Sequence, residues 1–169
     1  MLADRLRLVA GAAGPPSPRT PVGAGAESVG RCRAPPGGIP HYVEAVEILH
    51  VAHRSDWERA RRDGRYTVST RGRDLDEVGF IHGSTAAQVS GVAERFYSDD
   101  PEPLVVLVID VDLVRADGTG VRFEDGGDGQ DYPHVYGPVL PSHVVRVEPA
   151  GFVGGAFWWG VEPSRPDAR

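Results

Sequence analysis

The chain contains no lysine. All 18 of its basic residues are arginine, which excludes Schiff-base catalysis by a lysine amine and a phosphate loop built on lysine. Its single cysteine, Cys32, cannot close an intrachain disulfide, and nothing around it in sequence would hold a thiolate. A lone thiol suits a reducing compartment, so a cytoplasmic location is expected. No apolar stretch approaches the roughly 20 residues of a membrane-spanning helix, and no membrane association is expected. Leu6 to Ala13 is short and polar for a secretion signal and is read as none. The net charge of −6 runs against general nucleic-acid binding, because neutralising phosphates takes a basic surface. Also missing are coiled-coil heptads, internal repeats, a dinucleotide glycine fingerprint and a nucleophile elbow.

What is present divides unevenly. Residues 1–40 hold seven glycines, seven prolines and five arginines against Asp4 and Glu27. Such a segment buries too little apolar surface to offset its ordering entropy. Residues 1–41 are therefore expected to be a disordered extension, or to lie upstream of the true start. Residues 42–155 are expected to form one domain, and residues 156–169 a C-terminal tail whose Pro-rich, polar end, Glu162 to Arg169, frays.

Within the domain, Glu47–Ala52 reads as a strand, followed by a short helix over Asp56–Arg62. Ser55 and Glu58 form a capping-box pattern at its start, and Gly64 ends it. Tyr66–Ser69 is short and extended, and Arg71–Asp76 is a polar loop. Val78–His82 reads as a strand. A helix capped by Ser84 or Thr85 then runs to Tyr97, with Val89, Val92, Ala93 and Phe96 at helical spacing. The near-continuous apolar run Leu104–Val111 marks a strand buried on both faces. Short strands follow around Phe123, at Val135–Tyr136 and over Val144–Glu148. The fold class is α+β, with small mixed or antiparallel sheets and two main helices.

Three histidine elements are candidates for chemistry. His50 shares a strand face with Ile48 and Ala52; it is either a core imidazole with satisfied nitrogens or a group facing a cleft. His82 ends a strand just before Gly83, and Ser84 and Thr85 follow where a helix start would offer free amides to an anion. The same loop also reads as simple capping with an incidental histidine. His134 and Tyr136 sit between Pro133 and Pro138, so the tyrosine either stacks on a base or belongs to a plain turn. His41, His53 and His143 are expected at the surface or beside the tail. His82-Gly83-Ser84 resembles half of a two-histidine phosphoesterase site, in which one imidazole is base and the other acid; neither His50 nor His134 repeats it. No local pair spacing supports zinc on His50, His82 and His134, and no metal is assigned. The acidic run Glu124 to Asp131 lacks calcium-loop spacing.

Taken together, Ile48 to Ala52, Trp57, Gly64, Gly79 to Thr85 with Gln88, and Pro133 to Pro138 resemble family 952 among the domains of unknown function (DUF952). The resemblance covers about residues 47–150. That family is distantly similar to ADP-ribosyltransferase-like folds, including the RNA 2′-phosphotransferases. The resemblance implies NAD as cofactor, or another small nucleotide ligand bearing ADP-ribose. It places His50, Ser84, Thr85 and Tyr136 at the ligand, and His82, His134 and Glu124 in catalysis. The Glu-x-Glu or Gln-x-Glu pair of many such transferases does not stand in the expected place. A non-catalytic nucleotide-binding module and a small histidine-site metallohydrolase are the competing expectations.

Overall fold

A computed structural model describes residues 45–163. The expected extension over residues 1–41, with Cys32 and His41, lies outside the described residues, as do residues 164–169. Among the described residues no helix is long and apolar enough to cross a membrane.

The chain enters through β1 (Glu47–His53), turns into α1 (Arg54–Asp63), and forms a small hairpin from β2 (Val68–Thr70) and β3 (Arg73–Asp74). The one-turn helix α2 (Leu75–Val78) leads to β4 (Ile81–His82) and then α3 (Val89–Tyr97). The second half runs β5 (Leu104–Asp110), α4 (Val111–Ala116), β6 (Gly120–Asp125) and β7 (Asp131–Tyr136). A 3-10 turn at Pro141–His143, β8 (Val144–Val153) and β9 (Ala156–Trp159) close it. The class is α+β, and the described strand pairings are antiparallel. One sheet has the order β1-β5-β8-β9, and a second has β4-β7-β6.

The main sheet is apolar on both faces. On one, Ile48, Ala52, Leu107 and Ile109 pack with Trp57 and Ala60 of α1 and with Ile81, Val121 and Val135 of the second sheet. On the other, Leu49, Val51, Val106 and Val108 pack with Val89, Ala93 and Tyr97 of α3. Burial on both faces is what the unbroken apolar run of β5 predicts.

Several boundaries differ from the sequence reading, each for a local reason. Ser55 is not the N-cap of α1. The helix starts at Arg54 directly off the strand, with the Arg54 amide donating to the Pro103 carbonyl at 2.8 Å, so a backbone acceptor serves where a side-chain cap was expected. Val78 belongs to α2, because Asp74 and Glu77 make the capping box and Gly79 closes the turn at φ 90°. The helix expected from Ser84 starts only at Val89. Ser84 is extended and exchanges backbone hydrogen bonds with Leu49, at 2.7 and 2.8 Å, while Gln88 closes a turn on Thr85. Val111 opens α4 rather than ending a strand, since the Asp110 carboxylate accepts from the Asp112 and Leu113 amides. The domain does not stop at residue 155: Ala156–Trp159 returns along β8, with Phe157 buried opposite Phe152.

Gly83 carries the β4–β7 pairing one residue beyond β4, just before the Leu49–Ser84 bridge joins the two sheets. Its amide donates to the Pro133 carbonyl at 2.7 Å, and a Cβ at this position would lie 2.9 Å from that same oxygen. Gly83→Ala is expected to push β4 off β7 and to cost about 1–3 kcal/mol, as overpacking does. A lower denaturant midpoint at unchanged slope would register it.

Candidate functional site

Alternation along β4, β6 and β7 sorts their side chains between core and surface. Ile81, Val121 and Val135 point into the core. The residues between them face outward, and the register sets Arg122, His134 and His82 side by side across the three strands. The His82 and His134 rings lie 5.4 Å apart, nearly edge to face. Phe80 stacks on His134 at 4.1 Å and leans on His82 at 4.8 Å.

The tautomers follow from the partners. Ser69, fully buried on β2, donates its hydroxyl proton to the Phe80 carbonyl at 2.6 Å. Its remaining lone pairs face His82 Nδ1 at 3.0 Å, so Nδ1 carries the proton and Nε2 keeps a lone pair. Burial, and next the neighbouring His134, lower the His82 pKa below the ordinary 6.5, which keeps this ring neutral at pH 7. His134 Nδ1 faces the Glu124 carboxylate at 3.0 Å, which again assigns the proton to Nδ1. The same Glu124 oxygen accepts from the Tyr136 hydroxyl at 2.5 Å. These hydrogen bonds, Tyr136 first and His134 second, hold the Glu124 pKa below its usual range. Arg122 lies over the Tyr136 ring at 4.7 Å.

His82 and His134 open onto a groove of about 810 Å³ between the second sheet, the β2–β3 hairpin and α3. Phe80, Phe96 and Tyr132 supply its aromatic surface, and Arg71, Arg73 and Arg95 its positive charge. Arg71 is ion-paired with Asp99 and Asp100, which offsets part of its charge. Asp125 and Asp128 reach the lip, but their carboxylates accept amides of their own loop, from Gly127, Gly129 and Gln130.

Of the residues expected at the site, His82 and His134 meet in the groove. Glu124 and Tyr136 do not line it and act on it through His134. Ser84 is buried in its bridge to Leu49, and Thr85 is tied to Gln88; neither lines the groove. His50 is the core imidazole of the two readings offered for it. It is 4 % exposed, its Nδ1 donates to the His82 carbonyl at 2.6 Å, and its Nε2 accepts from the Tyr66 hydroxyl at 2.9 Å. Burial lowers its pKa to about 4. With both nitrogens engaged it supports His82 from beneath, and the three-histidine metal set does not assemble. Among the described residues no group of three or more His, Cys, Asp and Glu could hold a metal ion.

Two other histidines differ from expectation. His143, placed in advance at the surface, is buried, accepting from the Leu140 amide and donating to Asp117 at 2.7 Å. His53 is half-buried and donates to Asp100 at 2.8 Å. Ser69 and the three arginines were not singled out in the sequence. A serine in an extended Thr-Val-Ser-Thr segment carries no local signal, and arginine is the chain's only strong base everywhere.

Comparison with known proteins places this geometry in a family. The model for a protein family of unknown function, DUF952, matches residues 51–147. The chain belongs to that family. A crystal structure of protein CC0527 from Caulobacter crescentus is similar to this chain, with a TM-score of 0.57 at 25 % identity, over 67 % of this chain and 94 % of that one. The solution structure of CC0527 gives a TM-score of 0.52 at 27 % identity, over 65 % and 90 %. No curated protein matches. The DUF952 match runs from within β1 to within β8, so it includes His82, His134 and Glu124, and it brings no activity with it.

Proposed function

We propose that this DUF952 chain is an enzyme of the ADP-ribosyltransferase type, taking NAD or another ADP-ribose-bearing nucleotide into the histidine-lined groove. The observation that supports this is one groove combining Arg71, Arg73 and Arg95 with aromatic walls and the His82–His134 pair. Its volume is within the usual range for small-ligand sites. Arginines pair with diphosphate oxygens in charge-assisted hydrogen bonds, and Phe96 and Tyr132 offer faces for a base or nicotinamide ring. The neutral His82 Nε2 accepts a proton from an incoming acceptor. Cleavage of the glycosidic bond then depends mainly on positioning and on stabilising an oxocarbenium-like charge.

One observation favours a second reading, a module that binds a nucleotide without consuming it. Glu124, the expected catalytic carboxylate, gives one oxygen to both His134 and Tyr136, and no Glu-x-Glu pair flanks it.

Calorimetric titration with NAD, followed by measurement of released nicotinamide, separates the two. Binding with slow release that is lost in His82→Ala supports the enzyme. Binding without release supports the module. No binding at millimolar NAD removes both. Arg95→Ala is expected to weaken binding roughly tenfold or more, the worth of one hydrogen bond to a charged group.

A further inference from the structure

The His82–His134 pair has features that glycosidic chemistry does not require. The two residues are direct cross-strand partners on β4 and β7, so both rings rise from the same face of the sheet. Each ring is anchored through Nδ1, leaving Nε2 for the groove. The anchors differ. His82 rests on a neutral hydroxyl and has an imidazole for its nearest titratable neighbour. His134 rests on a carboxylate that is itself fixed by Tyr136. A hydroxyl anchor gives no compensation for a positive ring, whereas a carboxylate behind Nδ1 stabilises the imidazolium form. One ring is thus arranged to take a proton and the other to give one. Phe80, stacked on His134, fixes the ring plane.

From this geometry we infer that His82 and His134 are a matched base and acid for transfer at phosphorus, and that the groove opens five-membered cyclic phosphodiesters of ribonucleosides by adding water. The activity goes beyond the reading above: it uses the same groove but breaks a P–O bond instead of the glycosidic bond. Arg71, Arg73 and Arg95 face the charge of the phosphoryl oxygens, and the aromatic walls suit a single base. A cyclic diester relieves ring strain when it opens, so acid–base assistance goes far. The chain's net charge of −6 disfavours a polymeric substrate and leaves the small cyclic nucleotide.

The step balances as a hydrolysis. A water oxygen attacks phosphorus while the His82 Nε2 takes one of its protons. The bond from phosphorus to one ribose oxygen breaks, and His134, which enters the step with a second proton on Nε2, gives that proton to the oxygen. The product is a nucleoside phosphomonoester, and the two histidines exchange protons with solvent before the next turnover.

The test is incubation of the full chain with the four ribonucleoside 2′,3′-cyclic monophosphates, followed by phosphorus NMR. The expected result is conversion to one monoester isomer, reduced about 10²-fold or more in both His82→Gln and His134→Gln, with the melting temperature retained. Failure of the wild-type chain to open any of the four overturns the inference, as does turnover that survives in either variant. Long-range proton–nitrogen spectra of the wild-type chain give a check independent of the variants: at neutral pH the His82 proton must sit on Nδ1, and a proton on Nε2 instead overturns the assignment. Nicotinamide release from NAD without cyclic-phosphate opening would leave the first reading standing and remove this one. Opening without nicotinamide release would do the reverse.

Discussion

His50→Ala is expected to cost about 3–5 kcal/mol of folding stability, and to lose ligand binding only because the fold is lost. The imidazole bridges the His82 carbonyl and the Tyr66 hydroxyl. Deleting it strands two buried polar groups, each worth about 1–3 kcal/mol, and opens a cavity beside them. That is a large share of the roughly 5–15 kcal/mol that holds a domain together. A residue that touched the ligand instead would show weaker binding at unchanged stability. Denaturant melts of wild type and variant, paired with the NAD titration, separate the two cases.

His50 also predicts a pH dependence with a fixed sign. Its folded pKa of about 4, set by burial, lies below the 6.5 of an unfolded histidine. The unfolded chain therefore binds the proton first as pH falls. Stability is full above pH 6.5, drops as pH falls from 6.5 towards 4, and levels off once the folded ring also titrates. The total is about 3–4 kcal/mol at roughly 1.4 kcal/mol per unit. In His50→Gln that part of the acid limb should vanish. A limb of the same depth in the variant would assign the loss to other groups.

The contrast between His50 and His82 shows how far a sequence carries a reading of function. Period-two alternation placed His50 on the Ile48 and Ala52 face, and that is the face it occupies. Alternation does not tell whether a face meets a cleft or another layer, since that depends on which distant element packs there. Here it is Tyr66 and the second sheet, and the imidazole is sealed in. His82 and His134 could be singled out because each ends or interrupts an apolar run beside glycine or proline. That they are register partners depends on how β4 pairs with β7 across 51 residues of chain, which no local pattern encodes. Ser69 was invisible for the same reason, as its role lies in a contact with β4. The capping box at Asp74 and Glu77 is different. Its Asp-x-x-Glu spacing stood in the sequence, and reading Arg71–Asp76 as a loop left Val78 in the wrong element. The strand over Ala156–Trp159 was likewise legible in Ala-Phe-Trp-Trp. Gly154 and Gly155, both at positive φ, form the turn that makes the hairpin.

Glu124→Gln is expected to reduce turnover by about 10²–10⁴-fold while leaving the dissociation constant of the groove's ligand nearly unchanged. Glutamine keeps the size of the side chain and an oxygen that can accept from His134 Nδ1 and Tyr136, so the rings should stay where they are. It removes the charge that stabilises a positive His134 during proton transfer. Tyr136 and His134 hold the Glu124 pKa below the usual carboxylate range, so in the wild-type chain that charge persists into mildly acidic solution. The acid-side fall in turnover should then follow protonation of His82, with a midpoint below 6.5. Its neighbours His134 and Arg73 both oppose that protonation, after burial. In Glu124→Gln the plateau should drop. The same variant separates catalysis from mere binding. If the groove is a nucleotide-binding module, the carboxylate has no proton transfer to support, and the substitution changes affinity or nothing. Measuring turnover and affinity side by side in this one variant, for nicotinamide release and for cyclic-phosphate opening, therefore tests whether the Glu124–His134 contact is chemical or only structural. A plateau unchanged in both assays would make it structural.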